Sequence, residues 1–158
     1  MPERFSWVIE DALAGMERPG LFEPLDEDLL FLRDKGIDVI VNLEEEKYAQ
    51  DYPGFTVKQI PVNDFKPPQP EDYASFMDFM RAQVAEKKKV VVHCYAGMGR
   101  TNLMIAAYLM NLMKIDPVTA LNVVKLKRPF HVVTWEQEES LKTYFDSIRE
   151  SLDIKEPL

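Results

Sequence analysis

Hydrophobic and polar positions along this chain switch repeatedly between strand-like and helix-like spacing, and the switches mark out its elements. Phe5-Ser6-Trp7-Val8-Ile9 and Leu13-Ala14-Gly15-Met16 read as two short strands with a turn between them. Leu25, Leu29 and Leu32 then recur at helical spacing, and Gly36 follows as a C-terminal stop. Ile37-Asp38-Val39-Ile40-Val41-Asn42-Leu43 reads as a buried strand, and Phe55 to Val62 as another. Glu44-Glu45-Glu46 and Pro53-Gly54 mark the loop between them. Asn63 to Pro70 is a proline-rich loop, after which Tyr73, Phe76, Met77, Met80 and Val84 form one face of an amphipathic helix. The run Lys89-Val90-Val91-Val92 reads as a strand ending at His93, and Leu103 to Met113 as a helix. Pro117 opens a further helix at its first position, running to about Arg128 before Pro129 stops it. Leu141, Tyr144, Phe145, Ile148 and Leu152 stripe the last helix.

Helices alternating with strands predict an α/β fold, a central, mostly parallel sheet flanked by helices. There is no linker, repeat or low-complexity tract, so residues 1–158 are expected to form one domain. Composition narrows the picture without redirecting it. At 46% hydrophobic and 29% charged residues, the chain is neither a disordered nor a membrane-spanning sequence. Met1-Pro2-Glu3-Arg4 leads into an aromatic segment rather than a signal-peptide core. A single cysteine cannot form an internal disulfide, which agrees with a reducing cytoplasm as the expected location. The net charge of −8 argues against nucleic acid as a partner, and no membrane partner is expected. Basic residues cluster at Lys87-Lys88-Lys89 and Lys125-Leu126-Lys127-Arg128, both read as solvated helix ends. No His, Cys and carboxylate cluster has metal-ligand spacing, so neither a metal nor another cofactor is expected, and a monomer is assumed.

The chemistry concentrates in His93-Cys94-Tyr95-Ala96-Gly97-Met98-Gly99-Arg100-Thr101, between a strand and a helix. A short loop in that position aims backbone N–H groups inward, and the following helix adds positive potential. Gly97 and Gly99 let the backbone curl, so Tyr95, Ala96, Gly97, Met98, Gly99 and Arg100 are the expected phosphate-binding positions. A thiol on the floor of such a nest has its thiolate stabilised, and the thiolate is the nucleophile. Arg100 can fold a planar guanidinium over the same cavity and grip two phosphate oxygens. A lone cysteine is more often a small buried hydrophobe. The His, both glycines, the Arg and the Thr at set positions make that reading the weaker one.

Cys94 to Arg100 matches the Cys-x5-Arg signature of the protein tyrosine phosphatase superfamily, and the flanking His and Thr resemble its dual-specificity branch. Phe5-Ser6-Trp7-Val8, Asp64-Phe65-Lys66-Pro67-Pro68-Gln69-Pro70 and Thr134-Trp135-Glu136-Gln137-Glu138 resemble, in order, the small atypical dual-specificity phosphatases. The resemblance implies Cys94 as nucleophile, Arg100 as the phosphate clamp and Thr101 as hydroxyl donor to the sulfur. It implies Asp64 as general acid, though Asn-Asp before Pro-Pro is also ordinary turn chemistry. His93 would support the loop, and Gln137 would help place the hydrolytic water. Thr134 to Gln137 is equally a capping box for the last helix.

One position departs from the family pattern: Asn102 stands where a Gly usually follows the Arg-Ser/Thr pair. Asn can satisfy free amides in a helix's first turn, so the loop is expected to stay intact, and Asn102→Gly, which restores the usual family residue, is expected to leave the enzyme active. The function implied is a protein phosphatase acting on phosphotyrosine, and on phosphoserine or phosphothreonine, in a phosphorylated protein or peptide. The alternatives are a phosphoinositide or RNA 5′-phosphatase on the same scaffold, or a non-enzymatic phospho-binding module. The walls of the expected pocket are Phe65, Phe130-His131-Val132, Tyr95 and Met98.

Overall fold

A computed structural model of the chain describes residues 2–152. Two short strands, β1 (Ser6–Ile9) and β2 (Leu13–Met16), pair antiparallel. They are followed by helix α1 (Leu25–Asp34), strand β3 (Val39–Asn42), a 3-10 turn (Glu46–Tyr48) and strand β4 (Thr56–Gln59). Helix α2 (Pro70–Ala85), strand β5 (Val90–His93) and helices α3 (Arg100–Met113), α4 (Pro117–Lys127) and α5 (Trp135–Ile148) complete the order. The sheet runs β1-β2-β5-β3-β4, and every pairing except β1 with β2 is parallel. This is the α/β architecture that the alternation of periods predicts.

Side chains alternate across a strand, and here the alternation builds two cores. Val39, Val41, Val90 and Val92 face one way, into a core shared with Phe76, Met80, Leu103, Val124 and Leu141 from α2 to α5. Ile40, Val91, Ala14 and Met16 face the other way, onto Leu29 and Leu32 of α1 and onto Tyr52. Helix α3 is buried from Arg100 through Met110, which is why its sequence is apolar all round rather than striped.

Boundaries shift where local contacts override the pattern. Strands β3 and β4 are shorter than their apolar runs, and α2 begins at Pro70 because Gln69 and Asp72 form a reciprocal cap there. Val84 is 52% exposed, so it falls off the buried face of α2. Leu152 lies in a turn beyond α5 rather than in its stripe. Among the described residues no helix is long and apolar enough to cross a membrane.

Register decides where the chemistry sits. Strand β5 lies between β2 and β3, and His93 pairs with Met16 on one side and Asn42 on the other. The three parallel strands therefore end in one row. Whatever follows each of them — Glu17 and Arg18, Leu43 to Glu45, Cys94 to Arg100 — emerges at the same carboxyl edge, where such sheets hold their ligands.

Candidate active site

Between β5 and α3 the chain curls through residues 94–99. Each carbonyl of this loop is turned away from the cavity to an acceptor role elsewhere. The Cys94 carbonyl meets His93 Nδ1 at 3.1 Å, and that of Tyr95 accepts from Arg18 N at 3.0 Å. The Ala96 carbonyl accepts from Arg4 Nη1 at 3.0 Å and the Met98 carbonyl from Val132 N at 2.9 Å. Within the described residues none of the amides from Tyr95 to Gly99 donates to protein. A peptide is planar, so outward carbonyls leave inward N–H groups, and the loop is an anion nest. Gly97 carries φ +73, and a Cβ there would sit 2.5 Å from the Met16 backbone. Only glycine fits that corner.

Cys94 lies on the floor, 3% exposed, and the Thr101 hydroxyl reaches its Sγ at 3.1 Å. Arg100 is 2% exposed. Its Nη1 is held by Glu45 Oε1 at 2.6 Å and by the Val62 carbonyl at 2.9 Å. Its Nε has no partner among the described residues, and its Nη2 has only a loose contact with Asp64 Oδ1 at 3.4 Å. The guanidinium is thus anchored at one corner and presents its Nε–Nη2 edge, the geometry for gripping two oxygens.

Beneath the floor His93 is fully buried, with Nε2 3.1 Å from the Tyr52 hydroxyl. Burial pushes its pKa down to about 4, so the imidazole is neutral near pH 7. A neutral ring donating from Nδ1 to the Cys94 carbonyl and accepting the Tyr52 hydroxyl at Nε2 satisfies every group. Glu44, 3.8 Å from His93 Nδ1, therefore finds its cation in Arg18, which bonds both of its carboxylate oxygens. Arg18 is packed against the rings of Tyr48 and Tyr95 at 4.6 and 5.0 Å.

The opposite wall comes from the loop ahead of α2. Asp64 and Phe65 line a cavity of about 330 Å³ over Cys94, together with Tyr95, Met98, Val132 and Gln137. Phe65 has φ +59, a conformation that costs a bulky residue energy, and is 62% exposed. Gln137 is buried, and its amide is committed. Its Oε1 accepts from Thr134 N in the cap of α5, and its Nε2 donates to the Lys66 carbonyl at 3.1 Å. It ties the Asp64 loop to α5 while facing the cavity. Among the described residues no three His, Cys, Asp or Glu side chains gather as a metal-binding group.

Three expectations are corrected. Phe130 and His131 do not line the cavity; from that segment only Val132 does. Arg128 is not a solvated helix end but is 0% exposed, donating to Asn102 Oδ1, the Arg4 carbonyl and the Gly97 carbonyl. Asn102 does not serve amides of its helix; its Nδ2 donates to the Met98 and Phe130 carbonyls. The sequence reading also missed Glu45. Its only local sign is the acidic run Glu44-Glu45-Glu46, which a loop explains equally well.

The sequence model of the family described as "Polymorphic toxin system, DSP-PTPase phosphatase" matches residues 14–113. The dual specificity protein phosphatase MPK-4 of Drosophila melanogaster is 37% identical over 54 residues, 34% of this chain and 14% of that protein. The tyrosine-protein phosphatase CDC14 of Candida albicans is 26% identical over 136 residues, 84% of this chain and 25% of that protein. The chain thus spans a quarter or less of these relatives' lengths. Among solved structures, Tk-PTP in its active form superposes with a TM-score of 0.80 at 27% identity, covering 92% of this chain and 99% of that one. PTPMT1 in complex with PI(5)P superposes with a TM-score of 0.81 at 19% identity, covering 94% and 99%, a likeness of fold. With the family pattern running from β2 through α3 and 92% of the chain superposing on Tk-PTP, this chain belongs to the dual-specificity branch of the protein tyrosine phosphatase superfamily.

Proposed function

We propose that this phosphatase hydrolyses phosphotyrosine in proteins or peptides, and phosphoserine or phosphothreonine more weakly, through a cysteinyl-phosphate intermediate. The reading is carried by the cavity over Cys94, whose side walls are Phe65, Tyr95, Met98 and Val132. Apolar and aromatic walls above an anion nest suit a phenyl ring ending in a phosphate. In the first step Cys94 Sγ attacks phosphorus in line, and the phosphorus–oxygen bond to the substrate breaks as Asp64 protonates the departing oxygen. The inward amides and the Nε–Nη2 edge of Arg100 hold the three non-bridging oxygens throughout. In the second step water attacks the thiophosphate while Asp64 takes its proton. Thr101, at 3.1 Å, donates to the sulfur as it leaves, and inorganic phosphate is released.

A phosphoinositide substrate is the competing reading, raised by the PI(5)P complex of PTPMT1. It is disfavoured by the rim: Glu45 and Asp64 flank Arg100, and Tyr95, Ala96 and Met98 place no lysine in the loop. A polyphosphorylated ring would meet the Glu45 and Asp64 carboxylates there, and Arg18 on that rim is already paired with Glu44. The deciding measurement is kcat/KM on matched phosphotyrosine and phosphoserine peptides beside a soluble PI(5)P and an RNA 5′-phosphate, in excess EDTA. The phosphotyrosine peptide is expected to lead, and a tenfold advantage for the lipid or the RNA end overturns the protein-substrate reading.

A further inference from the structure

The cradle has a second face, away from the cavity, and it is built from residues distant in sequence. Three consecutive carbonyls of the loop are each claimed from behind by a side chain. Arg4 Nη1 donates to Ala96 O at 3.0 Å, Arg128 Nη2 to Gly97 O, and Asn102 Nδ2 to Met98 O at 3.1 Å. The three donors are joined to one another. Arg128 Nε donates to Asn102 Oδ1 at 2.9 Å and Arg128 Nη1 to the Arg4 carbonyl at 2.8 Å. The buried Glu17 carboxylate accepts the Glu3 and Arg4 amides, both at 3.1 Å, fixing the segment that carries Arg4. Room for the guanidinium comes from β2, where a Cβ on Gly15 would lie 2.9 Å from Arg128.

Peptide planarity converts this arrangement into a statement about the cavity. Holding the Ala96 carbonyl outward holds the Gly97 N–H inward. The Gly97 and Met98 carbonyls fix the Met98 and Gly99 amides in the same way. A cation on a carbonyl also polarises the peptide and strengthens its N–H as a donor. Arg128 makes all its direct hydrogen bonds to neutral acceptors, so its charge is not cancelled by a carboxylate in contact. Burial pushes its pKa down only to about 10, leaving it protonated at neutral pH.

We propose that Arg4, Asn102 and Arg128 act as one brace that positions the cradle, aiming the amides of Gly97, Met98 and Gly99 at the phosphate. Asn102 is the keystone: it bonds the loop, Arg128 and the Phe130 carbonyl together. None of the three touches substrate. The inference rests on the cradle being a phosphate site but not on which phosphoester is the natural substrate.

The test uses the full chain and inorganic tungstate as the probe, titrated by calorimetry at a temperature where each variant is folded, beside turnover of an aryl phosphate. Asn102→Gly and Arg128→Met are expected to weaken tungstate binding about tenfold, and the partly exposed Arg4→Ala about threefold. The value of kcat/KM should fall by matching factors, because the same amides meet the bound anion and the reacting phosphate. Arg128→Lys, which keeps the charge, should recover part of the loss. If Arg128→Met does not fold, Asn102→Gly and Arg4→Ala decide the matter. Lower melting temperatures with tungstate affinity and kcat/KM within twofold of the parent would make these residues scaffold only and overturn the brace. A parent that binds tungstate but hydrolyses none of the phosphopeptides overturns the proposed substrate class and leaves the brace standing.

Discussion

The two sides of the cavity are built to different stiffness. On the cradle side, Cys94 and Arg100 are 3% and 2% exposed, and the loop carbonyls are secured by the N-terminal segment, α3 and the segments that follow β2 and α4. On the Asp64 side, the carboxylate is 48% exposed and Phe65 62% exposed. That loop is tied down by Gln137 to the Lys66 carbonyl and by Ser140 to the Pro68 carbonyl. The division suits the proposed chemistry. Charge on a phosphoryl group is stabilised most by dipoles already aimed at it, since none need reorganise during reaction. A proton donor has instead to meet leaving oxygens at different heights, and a looser loop allows that.

The largest effect is expected on the rigid side. Cys94→Ser should lower turnover of an aryl phosphate by about a thousandfold or more, because a serine hydroxyl stays protonated at neutral pH. Tungstate affinity should persist, since the amides remain. Residual activity within tenfold of the parent would end the covalent mechanism.

The rigid side also carries an acid sensitivity. His93 titrates near 4 in the fold and near 6.5 when unfolded. Between those values the unfolded chain binds a proton that the folded chain refuses. Stability is therefore complete above about pH 6.5 and falls as pH drops toward 4, by roughly 3 kcal/mol in all. Thermal melts from pH 7.5 to 4.5 measure this, and His93→Gln should flatten the dependence. An equally steep loss in that variant would assign the effect to carboxylates instead.

On the looser side, Asp64→Asn should slow alkyl phosphates about a hundredfold and p-nitrophenyl phosphate much less, because a good leaving group needs little protonation. Equal slowing of both would leave Asp64 as a loop residue without a proton to give.

Glu45 joins the two sides through Arg100, so its removal tests whether the clamp needs an anchor. Glu45→Gln should lower kcat/KM about tenfold, mostly through KM, by loosening Nη1 and with it the Nε–Nη2 edge. If phosphate binding tightens instead, Glu45 competes with substrate rather than orienting the clamp.

The sequence by itself determined the elements and the nest. Apolar spacing placed β1 to β5 and the helices, because burial on a sheet or a helix face imposes a local period that survives in the chain. The Cys94 to Thr101 run announced a tightly curled loop running into a helix, because such a curl needs glycines and a helix start within a few residues. The last helix announced its cap through Thr134 and Gln137, which close on each other locally. What only the tertiary structure decided depends on contacts with no period. Glu45 meets Arg100 across 55 residues because β3 and β5 end in register. Arg128 resembled an exposed helix end because its sequence neighbours are lysines. It is buried because Gly15, Asn102 and the Arg4 carbonyl, far apart in the chain, leave a polar slot of its shape behind the cradle. Asn102 likewise looked like a helix-start residue, since nothing within four positions shows that Phe130 and Arg128 fold back onto it. Local patterns report which face of an element is buried; they do not report which buried polar groups find each other, and the back of this site is made of such pairs.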